Sequence, residues 1–281
     1  MVKAMILDVD GVIIGETEGV NMPHPHPDVM AKLKSVDIPI ALCTAKPVFA
    51  IESIIKNAEL SNPHIADAGG LLVDSNNRVF KKCTLENDMV RQVVRTLLEN
   101  QIHTEIYTPS DYFIQKDRLC YMVEKHATTL QRMPQLMDSL EVFSENQEVT
   151  KIVAVTPDEE AAMIAKEILK PFESHVAISW SIHPAILPMQ FAVITAQGIT
   201  KRQGAMDISK LLEIPLENIL GVGDGDSDWS FIELCGYGAA MGNASEALKE
   251  LVKSKGSKRG YIGKNVDENG IIDIIEWGMS R

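Results

Sequence analysis

The sequence is short of several features that mark whole classes of protein. Its four cysteines, Cys43, Cys83, Cys120 and Cys235, are scattered, form no C-x-x-C pair and lie in mostly apolar surroundings, so they read as reduced thiols. Basic charge is also scarce. Against 39 Asp and Glu there are 27 Lys and Arg, a formal net charge of -12, which repels phosphodiester backbones and anionic lipid surfaces. The nearest thing to a basic patch, Lys253 to Gly260, is interleaved with Gly and Ser and reads as a solvated loop. No nucleic acid and no membrane is therefore expected as a partner. No apolar run approaches the length of a membrane span, and an aspartate interrupts the first apolar stretch too early for a signal peptide, so the expected location is the cytoplasm. Internal repeats and low-complexity segments are missing as well.

What is present is an ordinary folding composition. With 281 residues, 45% of them hydrophobic, the chain is long enough for one large core or two modest ones. Short β-branched runs bounded by Gly or Pro alternate with helical-period segments at both ends. "AMILDV", a helix near 27–35, "IPIALC" and a helix near 47–57 open the chain. "NILGVG", a helix near 227–234, "YGAAM" and helices near 245–252 and 271–277 close it. That alternation predicts a parallel sheet built from two distant segments. Between them "HTEIYT", "YFIQ", "KIVAVT", "HVAIS" and "MQFAVI" mix hairpin-like pairs with helices, which predicts an α+β insert. Its clearest helix spans 157–171, with acids in its first turn and Ala161, Ile164, Ala165, Ile168 and Leu169 on one face. The expected division is 1–81 with 199–281 as core and 82–198 as insert, with a ligand cleft between them.

In an open parallel sheet ligands bind beyond the C-terminal ends of the strands. Those positions hold Asp8, Asp10 and Gly11 in "DVDGV", Thr44 with Ala45 in "LCTAK", Lys201 in "GITKRQGA", and Asp224, Asp226, Ser227 and Asp228 in "GDGDSD". A buried unpaired carboxylate costs several kcal/mol or takes up a proton, so such a cluster calls for a cation. Carboxylates with no His or Cys among them suit a hard ion, and Mg²⁺ with a substrate phosphate fits best. "DGDSDWSF" has carboxylates at calcium-loop spacing, but Trp229 replaces the turn glycine and Cys235 the closing Glu. "GVGDGD" lacks the last glycine of a dinucleotide fingerprint. "MPHPHP", with His24 and His26, reads as a stiff linker rather than a metal site, and His183 and Trp180 as packing residues of the insert.

In this order and spacing, "DVDGV", "LCTAK", Lys201 and "GDGDSD" resemble the haloacid dehalogenase superfamily of phosphatases. The long insert and "AMGNA" from Ala240 to Ala244 are similar to its Cof-type branch. The resemblance implies an α/β fold, a Rossmann-like core with an inserted α+β cap, and Mg²⁺-dependent hydrolysis of a small phosphorylated metabolite through an aspartyl-phosphate. It implies Asp8 as nucleophile and Asp10 as acid and base, with Thr44, Ala45, Gly11, Lys201 and Ser227 around the phosphoryl group. Asp8, Asp10, Asp224 and Asp228 would hold the metal, Asp10 through its backbone carbonyl. Thr44 also reads as a helix N-cap. The chain departs from the pattern with Ser227 in place of Asn and Val12 in place of Thr. A phosphomutase, or a binding module that keeps metal and phosphate affinity without turnover, stay open at this point, and a homodimer is allowed for.

Overall fold

The computed structural model describes residues 1–15 and 25–281; His24 of the linker reading lies outside them. In chain order the elements are β1 (Ala4–Leu7), α1 (Pro27–Lys34), β2 (Ile40–Leu42), α2 (Val48–Asn57), β3 (His64–Ala66), β4 (Leu71–Val73), β5 (Val79–Lys82), α3 (Asn87–Glu99), β6 (His103–Tyr107), β7 (Tyr112–Gln115), α4 (Tyr121–Leu130), β8 (Gln135–Met137), α5 (Leu140–Ser144), β9 (Lys151–Thr156), α6 (Glu159–Leu169), β10 (Val176–Ile182), β11 (Gln190–Ala196), α7 (Lys201–Leu211), β12 (Ile219–Gly223), α8 (Trp229–Ile232), β13 (Tyr237–Ala240), α9 (Glu246–Ser254), β14 (Gly260–Ile262) and α10 (Gly270–Met279).

β1 is apolar throughout because both of its faces are covered, as a central parallel strand requires. Met5 and Leu7 point into a core shared with Ile51, Ile54 and Ile274, while Ala4 and Ile6 point into one shared with Ile208, Phe231 and Leu248. Every pairing in its sheet, ordered β14-β13-β12-β1-β2, is parallel. Residues from the two ends of the chain thus share one sheet, and all five strand tips point to one rim. The intervening chain forms a small antiparallel sheet, β3-β4-β5, and a six-stranded sheet ordered β10-β11-β9-β6-β7-β8. In the latter, all pairings are antiparallel except β7 with β8. One face packs on helices through Val90, Val93, Val94 and Leu97 of α3. The other face looks toward the strand tips of the parallel sheet.

The helix expected over 157–171 runs from Glu159, capped by the Asp158 carboxylate on the Ala161 N–H. Its buried face is Ala162, Ala165 and Leu169, and Ile164 is 59% exposed. The expected face is therefore rotated by about one residue, because the helix lies over β9 and β11 by its alanines, which permit close approach. Lys253 and Ser254, expected in a loop, close α9. His26 is exposed and caps α1 through its Nδ1 and the Asp28 N–H. All four cysteines are free.

Candidate active site

Each candidate residue sits where a strand of the parallel sheet ends or a helix begins. Beyond β1, the Asp8 N–H donates to the Val222 carbonyl at 3.0 Å, extending the pairing with β12 by one residue. The chain then turns under Val9, whose carbonyl accepts from Ile13 at 2.8 Å and Ile14 at 2.9 Å. Gly11 makes this turn at φ +72, and a Cβ there would lie 1.9 Å from Oδ2 of Asp224, so only glycine lets the two loops touch. Its N–H is taken by the Ile14 carbonyl at 2.7 Å. Gly11 thus makes the sharp turn and the room for Asp224, while its own N–H stays within the turn.

Thr44 follows β2 and is 2% exposed. It does not cap α2, which starts after Pro47 with no side-chain cap. Its Oγ1 instead accepts from the Lys46 N–H at 3.1 Å, leaving the hydroxyl proton for the cavity. Lys201 opens α7, an unfavourable place for an ammonium beside the positive helix end. Two carboxylates hold it there, Asp228 Oδ1 at 2.7 Å and Asp8 Oδ2 at 2.9 Å. Despite burial, they raise its pKa well above that of an ordinary lysine. Asp228, 1% exposed, folds its loop by accepting the N–H groups of Asp224 at 3.0 Å and Gly225 at 3.1 Å. Ser227 lines the cavity, and Val12 is buried in the core.

Oxygens of Asp8, Asp224 and Asp228 lie within 4.8 Å of one another. At that separation each like-charge pair costs about 3 to 4 kcal/mol at an effective dielectric of about 20, and one ammonium answers three carboxylates. The strain appears in the proton affinities. Burial and the Asp228 charge push Asp224 up to about 7, and burial, Asp228 and Asp224 push Asp8 well above the carboxylate range against the pull of Lys201. A hard divalent cation fits this donor set and would relieve both. The Asp10 side chain is not part of the cluster. Its carboxylate turns the other way, with Oδ1 3.0 Å from His183 Nε2 and 3.3 Å from Lys46 Nζ. Burial opposes ionisation of Asp10, but Lys46 and His183 hold it well below the usual carboxylate range.

Between the strand tips and the six-stranded sheet lies a cavity of about 720 Å³, lined by Asp8, Asp10, Thr44, Ala45, Lys201 and Asp224 on one side. Ala45 enters through its backbone, its carbonyl accepting from Lys151 Nζ. Lys46, the last residue of the "LCTAK" motif, stands four residues past β2, a position that signals a place at the same rim. It reaches the Thr129 carbonyl of α4 at 2.7 Å as well as Asp10. His183, read as packing, carried no local signal, because only the tertiary fold brings the β10–β11 connection onto Asp10. Asn243 of "AMGNA" donates to the Gly11 carbonyl at 2.9 Å and accepts from the Val266 N–H at 2.9 Å, tying the first turn to the last loops.

Comparison with known proteins shows what the chain is similar to. A family model described as haloacid dehalogenase-like hydrolase matches residues 5–275. Among curated proteins the chain is 21% identical to a 5-amino-6-(5-phospho-D-ribitylamino)uracil phosphatase of Bacillus subtilis, over 99% of this chain and 98% of that one. A further Bacillus subtilis phosphatase is 20% identical over 98% of this chain and 99% of its own. Among solved structures, a haloacid dehalogenase-like hydrolase from Bacteroides thetaiotaomicron has TM-score 0.81 at 20% identity, covering 98% of this chain and 99% of that one. A sugar phosphatase of subclass IIB has TM-score 0.76 at 21% identity, with 98% of both chains covered.

Proposed function

Because the chain belongs to the haloacid dehalogenase-like hydrolase family, we propose that it is a phosphatase that hydrolyses small phosphomonoesters with Mg²⁺ through an aspartyl-phosphate. The observation that carries this reading is the convergence of Asp8, Thr44, Lys201, Asp224 and Asp228, far apart in sequence, at one rim of one sheet. The substrates in the relatives' names, a ribitylaminouracil phosphate and a sugar phosphate, are phosphomonoesters too.

The phosphoryl group sits against Asp8, with the free Thr44 hydroxyl proton and the Lys201 ammonium on its non-bridging oxygens, where charge accumulates in the transition state. Asp8 Oδ2 is held by Lys201 and Oδ1 by the Val9 N–H, so one carboxylate geometry is presented to phosphorus. An Asp8–phosphorus bond forms as the bond to the leaving oxygen breaks. Water then cleaves the acyl phosphate and releases inorganic phosphate. Asp10, held ionised, takes the proton from that water. In the first step the leaving oxygen takes its proton from Asp10, beside which the His183 imidazole lies with Nε2 3.0 Å from Oδ1. Asp8, Asp224 and the Asp10 carbonyl would hold Mg²⁺, with Asp228 anchoring the loop, and the ion would supply the charge that lets an anionic nucleophile meet an anionic substrate. Residues 82–198 act as the cap that excludes water.

The test is phosphate release from an aryl phosphate and a panel of sugar phosphates, with Mg²⁺ and with chelator. Asp8→Asn should lower metal-dependent release by more than about 10³-fold. No turnover across the panel by the parent protein would leave a binding module, and an isomeric sugar phosphate in place of free phosphate would identify a mutase.

A further inference from the structure

Lys46 brings into the site an ammonium that is bound neither to Asp8 nor to the metal carboxylates. Its backbone is pinned on both sides, the N–H donating to Thr44 Oγ1 at 3.1 Å and the carbonyl accepting from the Asp67 N–H at 2.9 Å. Pro47 follows and α2 begins at once, so the side chain leaves from a fixed point. That side chain is 4% exposed, and Nζ meets two oxygens, the Thr129 carbonyl at 2.7 Å and Asp10 Oδ1 at 3.3 Å. A buried ammonium needs acceptors in place of water, and these two come from different parts of the fold.

Thr129 lies in the last turn of α4, which ends at Leu130 with Gln131 in the left-handed region at φ +56. Carbonyls of a last turn have no partner within the helix and carry its negative end, so a cation is favoured there. The helix is part of the chain that intervenes between the two halves of the parallel sheet, and its Leu130 packs in one cluster with Ala50 of α2 and Tyr107 of β6. The other partner of Asp10, His183, comes from the same intervening chain and meets the same oxygen, with Nε2 3.0 Å from Oδ1. Both contacts fall on Oδ1, and Asp10 lines the cavity. A carboxylate fixed through one oxygen keeps the other for proton transfer.

Building on the phosphatase reading, we propose that Lys46 is a positioning residue that braces Asp10 against the end of α4, so that the water-activating carboxylate stands in place only with that helix seated over α2. The two half-reactions then depend on Lys46 unequally. Asp8 attacks phosphorus without it, and a nitrophenolate leaves without a proton. In the second half, the bond from water oxygen to phosphorus forms as the Asp8–phosphorus bond breaks and its electron pair returns to the Asp8 carboxylate, while the water proton passes to Asp10. That step needs Asp10 in place, and therefore Lys46.

The test is stopped-flow hydrolysis of p-nitrophenyl phosphate with Mg²⁺. Lys46→Met should release nitrophenolate in a burst of one equivalent per site at the rate of the parent's first turnover. A steady rate about 10²-fold slower than the burst should follow, within the range that a positioned base contributes. Mass spectrometry after an acid quench should find Asp8 phosphorylated. Lys46→Arg, which keeps a cation, should restore much of the steady rate, and Lys46→Gln repeats the measurement if Lys46→Met does not fold. Added to Asp10→Asn, Lys46→Met should lower the steady rate by less than about threefold more, because residues that act as a unit are not additive. Leu130→Ala, which loosens α4 without touching Asp10, should slow the steady rate and leave the burst. Equal slowing of burst and steady rate in Lys46→Met would overturn the inference, as would a full further loss on top of Asp10→Asn or an unchanged steady rate in Leu130→Ala. A parent protein that hydrolyses no phosphomonoester gives a different result, which removes the phosphatase reading and this role with it.

Discussion

At the scale of single residues, the sequence exposes groups that stand at strand ends and hides groups delivered by another part of the fold. Asp8, Thr44 and Asp224 could be picked out because a parallel sheet puts its strand tips together, and those positions are readable from apolar runs, whereas Lys201 stands at the start of a helix. His183 could not, since a lone histidine in a connection between two antiparallel strands looks the same whether it packs or reaches Asp10. Its proposed role predicts a selective defect. An alkyl leaving oxygen needs a proton as the bond to phosphorus breaks, whereas a nitrophenolate leaves without one. His183→Ala should therefore lower kcat on an alkyl phosphate by about 10²-fold, the low end of what a positioned proton donor contributes, and lower kcat on p-nitrophenyl phosphate far less. Equal losses on the two substrates would show that His183 is structural.

At the scale of elements, hydrophobic period located most strands and helices but not the way they are joined. The short three-residue strands β3 and β4 gave no separate signal in the sequence, being too brief for alternation to show. The face of α6 was misplaced by a residue because periodicity reports an apolar stripe, whereas the close approach of its alanines to the sheet decides which edge of that stripe is buried. His64 in β3 has a role that no pattern announces. Fully buried, it accepts the Leu42 N–H of β2 on Nδ1 at 3.1 Å, and its Nε2 lies 3.2 Å from the Leu60 carbonyl. The neutral ring satisfies both neighbours. A proton on Nδ1 would point at the Leu42 N–H, and burial lowers the pKa to about 4. Because the folded value lies below the unfolded value of 6.5, the unfolded chain takes up the proton first as pH falls. The stability due to His64 is whole above 6.5 and drains away toward 4, by roughly 3 kcal/mol in all. Urea unfolding at pH 7, 5.5 and 4.5 should show the parent losing this much more than His64→Gln. Parallel stability curves for the two proteins would refute the assignment.

For the whole molecule, the question is what fixes the six-stranded sheet over the strand tips, and the answer lies in a buried ion pair. Asp67, at the end of β3, is fully buried at φ +49. It accepts from the Thr150 hydroxyl at 2.8 Å, and Lys151 Nζ at the start of β9 lies 3.1 Å from it. The same ammonium sits 4.0 Å from the centre of the Tyr107 ring and reaches the Ala45 carbonyl next to Thr44. Burial raises the pKa of Asp67 and lowers that of Lys151, so each charge depends on the other. A buried pair adds little net stability over apolar residues of the same shape, but losing one member leaves an uncompensated charge. Lys151→Met should therefore destabilise the protein by about 3 to 5 kcal/mol, and adding Asp67→Asn, which removes the stranded charge, should restore a large part of it. Denaturant unfolding of the two single variants and the double variant reads this coupling directly. Additive losses would mean that the two residues act separately and that the sheets are held together by their apolar contacts alone. The coupled result would make this pair the element that sets Ala45 and Thr44, and so the proposed phosphoryl site, against the six-stranded sheet.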